Sequence, residues 1–190
     1  MKKNLMLFIT FAFCLAFSGC LSKSTKAPNI YELDTNSCGK NALKIDIIIS
    51  TSALQTRSIF IKENNELMPL NDAKFISFAE DMMEKALVKY FTCNEPNSNS
   101  KSLDVRLLEL YATKDEAVLS IQAQIDKEQK LISARTHTGD LEANTVLAAM
   151  NTSLEKVLAQ IDNFATQLVL KNSNVLKNSN ALKNSNKVQK

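Results

Sequence analysis

The sequence predicts an α+β fold, with a mixed or antiparallel sheet of about five to six strands and two amphipathic helices on one face. Several short segments are β-branched or alternate between apolar and polar residues, as strands do. Two longer segments repeat their apolar residues at three- and four-residue steps, as amphipathic helices do. The predicted order along the chain is β-β-β-α-β-β-β-α.

Three predicted strands precede the first helix. Ile45–Ile49 is nearly continuous in apolar content, which predicts a central strand buried on both faces. A second strand over Ser58–Lys62 and a short return strand over Glu66–Leu70 are separated by Asn64-Asn65, a pair that favours a tight turn. We therefore expect a hairpin here.

The first helix is predicted between Asp72 and Phe91, where apolar residues follow a helical period and charged residues fill the other side. Its start has two interpretations. Asp72 is one candidate N-cap, and Ser77 followed by Glu80 is a candidate capping box. The segment Asn94–Ser102, rich in Asn and Ser and containing a proline, predicts an exposed loop.

Three more strands are predicted over Leu103–Tyr111, Ala117–Asp126 and Lys130–Thr138. The middle one alternates strictly, as a strand packed on one face requires, and Asp126–Glu128 is expected to form the turn that follows it. A long helix is predicted after Gly139-Asp140, with an apolar stripe that would cover the sheet. The stripe consists of Leu147, Met150, Leu154, Val157, Leu158, Ile161, Ala165 and Leu168.

The N-terminus has the pattern of a bacterial lipoprotein precursor. Two lysines precede an apolar run, Leu5–Phe17, that is too short to span a bilayer, and the run ends in Ser18-Gly19 before Cys20. We predict a signal peptide over residues 1–19, cleavage before Cys20, and attachment of a diacylglycerol and acyl (palmitate) lipid to its sulfur. The alternative is an ordinary cleaved signal followed by a chance cysteine.

The chain is expected to divide into this signal, a lipidated tether over residues 20–29, an α+β domain over residues 30–170 and a tail over residues 171–190. The tail repeats Leu-Lys-Asn-Ser-Asn and contains five lysines and no acidic residue. Such short polar repeats bury little apolar surface, so a disordered basic tail is predicted.

Cys38 and Cys93 are the cysteines that remain once Cys14 leaves with the signal and Cys20 carries a lipid. Disulfides persist in an oxidising cell envelope, so a Cys38–Cys93 bond is one interpretation and two unpaired thiols are the other. No metal site is expected, because the cysteines lack zinc-ligand spacing and the chain has a single histidine, His137, predicted at a surface or edge position.

Composition argues against enzymatic and nucleic-acid-binding functions. The chain has no tryptophan, only three glycines and one histidine, so it lacks the usual material of phosphate-binding loops and catalytic triads. The acidic cluster Glu80, Asp81 and Glu84 fits the solvated face of a helix. We expect neither a catalytic residue nor any cofactor beyond the lipid on Cys20, and no nucleic-acid partner.

Two short motifs resemble one family. Tyr31-Glu32-Leu33, soon after the lipid cysteine, is similar to a Tyr-x-Leu element that opens the domain of the ABC-type transport auxiliary lipoproteins, the family of paraquat-inducible protein C. Phe78-Ala79-Glu80 stands where that family has a Trp-Ala-Glu-like element at the start of a helix, and the final helix is similar in position and pattern.

This resemblance implies a non-catalytic, periplasm-facing subunit of an ABC system that moves phospholipid or another hydrophobic substrate between the two membranes. Its partners would be an MCE-domain or substrate-binding protein with the permease and ATPase, besides the membrane itself. Leu21, directly after the lipidated cysteine, favours anchoring in the outer membrane. Two alternatives stay open: an outer-membrane assembly lipoprotein, and a surface-exposed antigen or adhesin. The sequence also leaves self-association open.

Overall fold

The computed structural model describes residues 27–51, 54–93 and 101–185, with side chains described as far as residue 171. The predicted signal peptide, Cys20, most of the tether and most of the predicted Asn94–Ser102 loop lie outside the described residues. The α+β fold is confirmed: a mixed sheet of seven strands carries two helices.

The elements follow the predicted order with one addition at the start. They are β1 (Asn29–Tyr31), β2 (Leu43–Ser50), β3 (Ser58–Glu63), β4 (Glu66–Phe75), α1 (Ala79–Phe91), β5 (Lys101–Ala112), β6 (Glu116–Ile125), β7 (Glu128–His137) and α2 (Ala143–Ser185). The sheet therefore exceeds the predicted five to six strands by β1. This strand pairs in parallel with the end of β4, and its three residues are too few to show an alternating pattern.

β5 is the centre of the sheet. β6 pairs antiparallel along one of its edges, and β7 pairs antiparallel with β6. The other edge of β5 is shared: β2 runs parallel to its first half, and β3 reaches it near its end, where Ile61 lies opposite Ala112. β4 pairs antiparallel with β3 and carries β1 beyond it.

The prediction that Ile45–Ile49 is a central strand buried on both faces is wrong. Among the described residues, β2 pairs only with β5, and the side chains of Ile47 and Ile49 are 54% and 41% exposed. A register shift between Ile45 and Ile47 turns Ile47 outward, as a β-bulge does. Continuous apolar character does not distinguish such an edge strand from a buried one.

Both predicted hairpin turns are present. Asn64 and Asn65 have φ values of 48° and 66°, and Asp126 has a φ of 56°. Asn and Asp tolerate this left-handed conformation better than other non-glycine residues, and two-residue hairpin loops require it because it matches the strand twist. Local turn chemistry was sufficient to place both hairpins.

Helix α1 starts later than predicted. Residues 72–75 belong to β4, and the residue at the N-cap position is Phe78, which makes no side-chain capping bond, so neither Asp72 nor Ser77 caps the helix. Ala73 and Phe75 are buried between exposed neighbours, which is a strand pattern, although Phe75 also lies three and four residues before Phe78 and Ala79, as in a helix. The burial of these side chains in the folded protein decided between strand and helix for residues 72–75.

Helix α2 carries the predicted stripe, and every one of its eight apolar residues is buried. Asp140 precedes the helix and accepts hydrogen bonds from the Glu142 amide and the Thr145 hydroxyl. The helical backbone continues to Ser185, which differs from the tail predicted to be disordered from residue 171. Each residue added to an existing helix forms a new hydrogen bond without a new nucleation cost. The packed part of α2 can therefore propagate the helix into the residues that follow it.

Candidate interaction surface

Cys38 and Cys93 are joined in a disulfide, with their Cα atoms 5.8 Å apart. The bond attaches the chain before β2 to the end of α1. The next residue, Gly39, donates its N–H to the Tyr90 carbonyl at 2.9 Å, and a Cβ at this position would lie 2.7 Å from a Tyr90 ring carbon. Only a glycine permits so close an approach beside the disulfide.

The first motif of the family resemblance lies where β1 meets the start of α2. Tyr31 donates its hydroxyl hydrogen to Asn144 Oδ1 at 2.9 Å, and its carbonyl accepts the Ile76 N–H at 2.7 Å. Leu33 is buried, and its N–H points at Met82 Sδ, 3.5 Å away in α1. The motif thus connects both helices to the edge of the sheet.

The second motif forms the start of α1. Ala79 is buried against the core, whereas Phe78 is 45% exposed. Glu80 accepts a hydrogen bond from Ser50 Oγ at 2.5 Å, which fastens the first turn of α1 to the end of β2. The structure therefore places the two motifs around one junction of β1, β4 and α1, where their contacts are those of packing.

The segment between β1 and β2, residues 32–41, lies against both helices, and we call it the strap. On the α1 side, Lys85 pairs with Glu32, and Lys89 Nζ lies 2.9 Å from Asp34 Oδ2. With the disulfide, these contacts attach the strap to successive turns of α1.

On the α2 side the strap is held by side chains that accept its backbone N–H groups. Asp162 is buried and accepts the Lys40 and Asn41 amides at 3.0 and 2.9 Å, as well as the Asn41 side-chain amide. Glu155 accepts the hydroxyl of the buried Thr35 at 2.5 Å. Bonds of this kind satisfy strap donors that would otherwise be buried without a partner.

The electrostatics of the strap follow from these contacts. The Lys89 ammonium, hydrogen-bonded to Asp34, holds the pKa of that carboxyl below its usual value. Burial tends to raise the pKa of Glu155, but hydrogen bonds from Ser37 and Thr35 outweigh it and the pKa is lowered. Burial, followed by the charges of two carboxylates on α2, raises the pKa of Tyr90.

The sequence did not predict the strap, although one signal was present. Asp162 lies four residues after Leu158 and one after Ile161, so it falls on the buried stripe of α2. A carboxylate on an apolar stripe needs hydrogen-bond donors from elsewhere in the chain. Their source, Lys40 and Asn41, could not be identified from the residue pattern.

Both helices pack on one face of the sheet, and the opposite side of β2, β5, β6 and β7 is left uncovered by them. We call this side the open face. Two rows of residues cross it at neighbouring levels of β5. One row is Ile47, Asp104, Gln124 and Gln129, and the next is Ile49, Arg106, Gln122 and Leu131.

A groove of about 270 Å³ lies along these rows. Its border on β2 is apolar, because Ile47 and Ile49 are exposed there, and its border on β7 is Gln129, next to which Leu131 is 68% exposed on the same strand. Its floor is charged. Among the described residues, Asp104 Oδ1 is buried without a hydrogen-bond partner, and the Arg106 side chain forms no ion pair or hydrogen bond.

A second groove, of about 230 Å³, continues along the same side of the sheet toward the end of β5. Leu54, Leu67 and Leu108 contribute its apolar lining, and Lys62 Nζ lies 4.9 Å from the centre of the Tyr111 ring. The two grooves together give the open face a mixed apolar and charged character that suits binding to another surface.

Within ranges 27–51, 54–93 and 101–185, no three histidine, cysteine or acidic side chains are grouped to hold a metal ion. His137 is exposed at the end of β7, where its Nδ1 lies 2.7 Å from the Asp115 carbonyl oxygen. None of the helices in the described part of the chain combines the length and apolar content needed to cross a membrane.

Comparison with known proteins shows a shared fold. A crystal structure of an uncharacterized protein superimposes with a TM-score of 0.60 at 10% identity, over 74% of this chain and 99% of that chain. Protein XCC0632 from Xanthomonas campestris, described under family DUF330, gives a TM-score of 0.61 at 12% identity, over 78% of this chain and 98% of that chain. No family model and no curated protein matches the sequence.

Proposed function

We propose that this chain is a non-catalytic lipoprotein subunit of an ABC transport system that moves phospholipid or another hydrophobic substrate between the inner and outer membranes. Cys20 carries the lipid, the tether holds the domain at the outer membrane facing the periplasm, and the domain docks on an MCE-domain or substrate-binding protein associated with the permease and ATPase.

The observation that carries this proposal is the meeting of the two motifs. Tyr31-Glu32-Leu33 and Phe78-Ala79-Glu80 are far apart in the sequence, yet the Tyr31 carbonyl binds the backbone just before Phe78, and Leu33 contacts the second turn of α1. Motifs that resemble one family are more informative when they form one structural junction than when they lie apart. The disulfide further supports an oxidising compartment.

The fold comparison supports the proposal more weakly. Residues 30–170 were expected to form one domain, and the two solved structures superimpose over 98% or more of their own length. The fold therefore stands as a complete unit in those proteins. A domain that is a complete unit by itself can act as a separate docking subunit of a larger assembly.

Co-purification from detergent-solubilised membranes tests the proposal. The tagged full-length chain should recover an MCE-domain protein together with its permease. Cys20→Ser, which removes the attachment atom, should release the protein from the membrane fraction and reduce that recovery. A matched Cys14→Ser change lies within the signal and should alter neither result.

Two outcomes would contradict the proposal. Recovery of a β-barrel protein alone would favour an outer-membrane assembly lipoprotein. Recovery of no transporter component, with the chain cleaved by protease added outside intact cells, would favour a surface antigen or adhesin. In both cases the retention of lipid on Cys20, measured by mass spectrometry, separates a failed anchor from a failed partner assignment.

A further inference from the structure

We infer that the open face is the contact between two copies of this chain, which pair face to face about a two-fold axis. The inference concerns the folded domain alone and does not rest on the lipid anchor or on transport. It starts from two charged residues of β5, Asp104 and Arg106, that the rest of the described chain leaves without partners.

Of these two residues, Asp104 is in the more unfavourable environment in a single copy of the chain. Its Oδ1 is buried with no donor, and a buried acceptor left unpaired carries a large desolvation cost. The residue lies on the floor of the groove rather than among the helices, because Leu103 and Val105, its neighbours in β5, point into the core. Because Asp104 lines the groove, a donor on a second surface can reach its carboxylate across the open face.

Arg106 lies two residues further along the same strand and on the same face, so its Cα is roughly 6.6 Å from that of Asp104. Consider a two-fold axis in the plane of the interface, perpendicular to β5 at the level of Val105. This operation reverses the strand direction and places Asp104 of each copy opposite Arg106 of the other. Isologous contacts of this kind are self-complementary by symmetry.

The remaining residues of the two rows on β2 and β6 agree with the same operation, which on β7 places Gln129 opposite Leu131. Because each strand then faces its own counterpart, Ile47 lies opposite Ile49 of the second copy, and Gln124 lies opposite Gln122. Apolar side chains meet apolar ones at the β2 border, and amides that can both donate and accept meet at the centre. No like charges are brought together at these levels.

The size of the face is adequate. Four strands about 4.8 Å apart and about ten residues long cover roughly 600 Å² per copy, or roughly 1,200 Å² for both. Specific interfaces begin at about this area. Two stacked sheets are about 10 Å apart, a gap that an arginine and an aspartate side chain can bridge end to end.

Charge reversal tests the inference. Full-length chains with two different tags are co-expressed and recovered through one tag. Wild-type copies should co-purify, whereas D104R paired with itself, or R106D paired with itself, should lose about tenfold or more of the recovery because like charges then meet. The control E84R reverses an exposed charge on α1 and should leave recovery unchanged.

Two combinations should restore recovery. D104R co-expressed with R106D brings opposite charges together at both positions, and so does the double variant D104R/R106D paired with itself. The double variant paired with wild type should fail again. Restoration also shows that the single variants are folded, because a misfolded chain cannot regain a specific partner.

The inference is overturned if wild-type copies do not co-purify. It is equally overturned if they co-purify but neither reversal reduces recovery, since the contact then lies elsewhere. Loss in both single variants without restoration in either combination would likewise overturn the pairing of Asp104 with Arg106 of the second copy.

Discussion

At the scale of single residues, two positions in the strap depend on contacts that only the folded chain supplies. Gly39 lies against the buried Tyr90 ring, and Asp162 gathers three donors from Lys40 and Asn41. Gly39 does not stand out in the sequence, and Asp162 stands out only as an acidic residue on an apolar stripe. Each gives a prediction.

Gly39→Ala should destabilise the domain by about 1–3 kcal/mol, the usual cost of extra volume in a tightly packed site. The added Cβ would lie 2.7 Å from the Tyr90 ring, whose neighbour Phe91 packs edge-on against it and limits its movement. Urea unfolding measures the change. Lys40→Ala, at the adjacent exposed side chain, should have little effect, and equal losses in the two variants would contradict the steric explanation.

Asp162→Ala should destabilise the domain by about 1–3 kcal/mol, because two backbone amides and the Asn41 side chain lose their acceptor in a partly buried site. Thermal or urea unfolding reports the loss. Asn163→Ala, on the exposed side of the same turn, provides the comparison. A change as small as that of the control would mean that water replaces the carboxylate at little cost.

At the scale of elements, the strap is the feature that joins the two helices across the molecule. It is attached to α1 by the disulfide and two lysines, and to α2 by Glu155 and Asp162. The two helices are thus linked to each other by contacts with an extended segment rather than by a short loop. Removing one attachment should loosen the strap without removing the sheet.

Cys38→Ser combined with Cys93→Ser should lower the free energy of unfolding by roughly 4 kcal/mol on the chain-entropy model, since the bond closes a separation of 55 residues. Hydrogen exchange should rise first in the strap amides, including that of Gly39, and less in the β5–β6 pair. Uniform exchange throughout the domain would indicate that the disulfide supports the whole fold instead of the strap.

At the scale of the whole molecule, the free energy of unfolding should decrease at acidic pH, because carboxylates that make the strap contacts become protonated. Asp34 and Glu155 both have pKa values held below their ordinary values. A lowered folded pKa gives a stabilising contribution that is complete above the unfolded pKa and is lost as the pH falls through the folded one. The loss therefore begins below about pH 4.5 and continues downward.

Urea unfolding at pH 7 and pH 3 should show this loss in the wild-type protein and a smaller one in Asp34→Asn, which no longer titrates at that position. Asp81→Asn removes the same charge from an exposed site on α1 and should retain the wild-type difference. An unchanged pH dependence in Asp34→Asn would contradict a role for the Asp34 contact with Lys89.

The sequence by itself determined the α+β class, six of the strands, both hairpin turns and the buried stripe of α2. These features depend on neighbours in the chain: turn conformations at Asn64-Asn65 and Asp126, and periodic burial from Leu147 to Leu168. The start of α1 was not determined in this way, because Phe75 fits both a strand and a helical pattern, and neither was the extension of α2, which continues a helix already packed on the sheet.

Only the tertiary structure decided what each surface faces. Ile47 and Ile49 look like core residues in the sequence, yet they border an open face, because a bulge turns Ile47 outward and the helices cover only the other side. The strap is likewise a product of contacts between segments more than a hundred residues apart, as Lys40 and Asp162 show. Local patterns encode periodicity, whereas partners distant in the chain are selected only when the whole sheet and both helices have assembled.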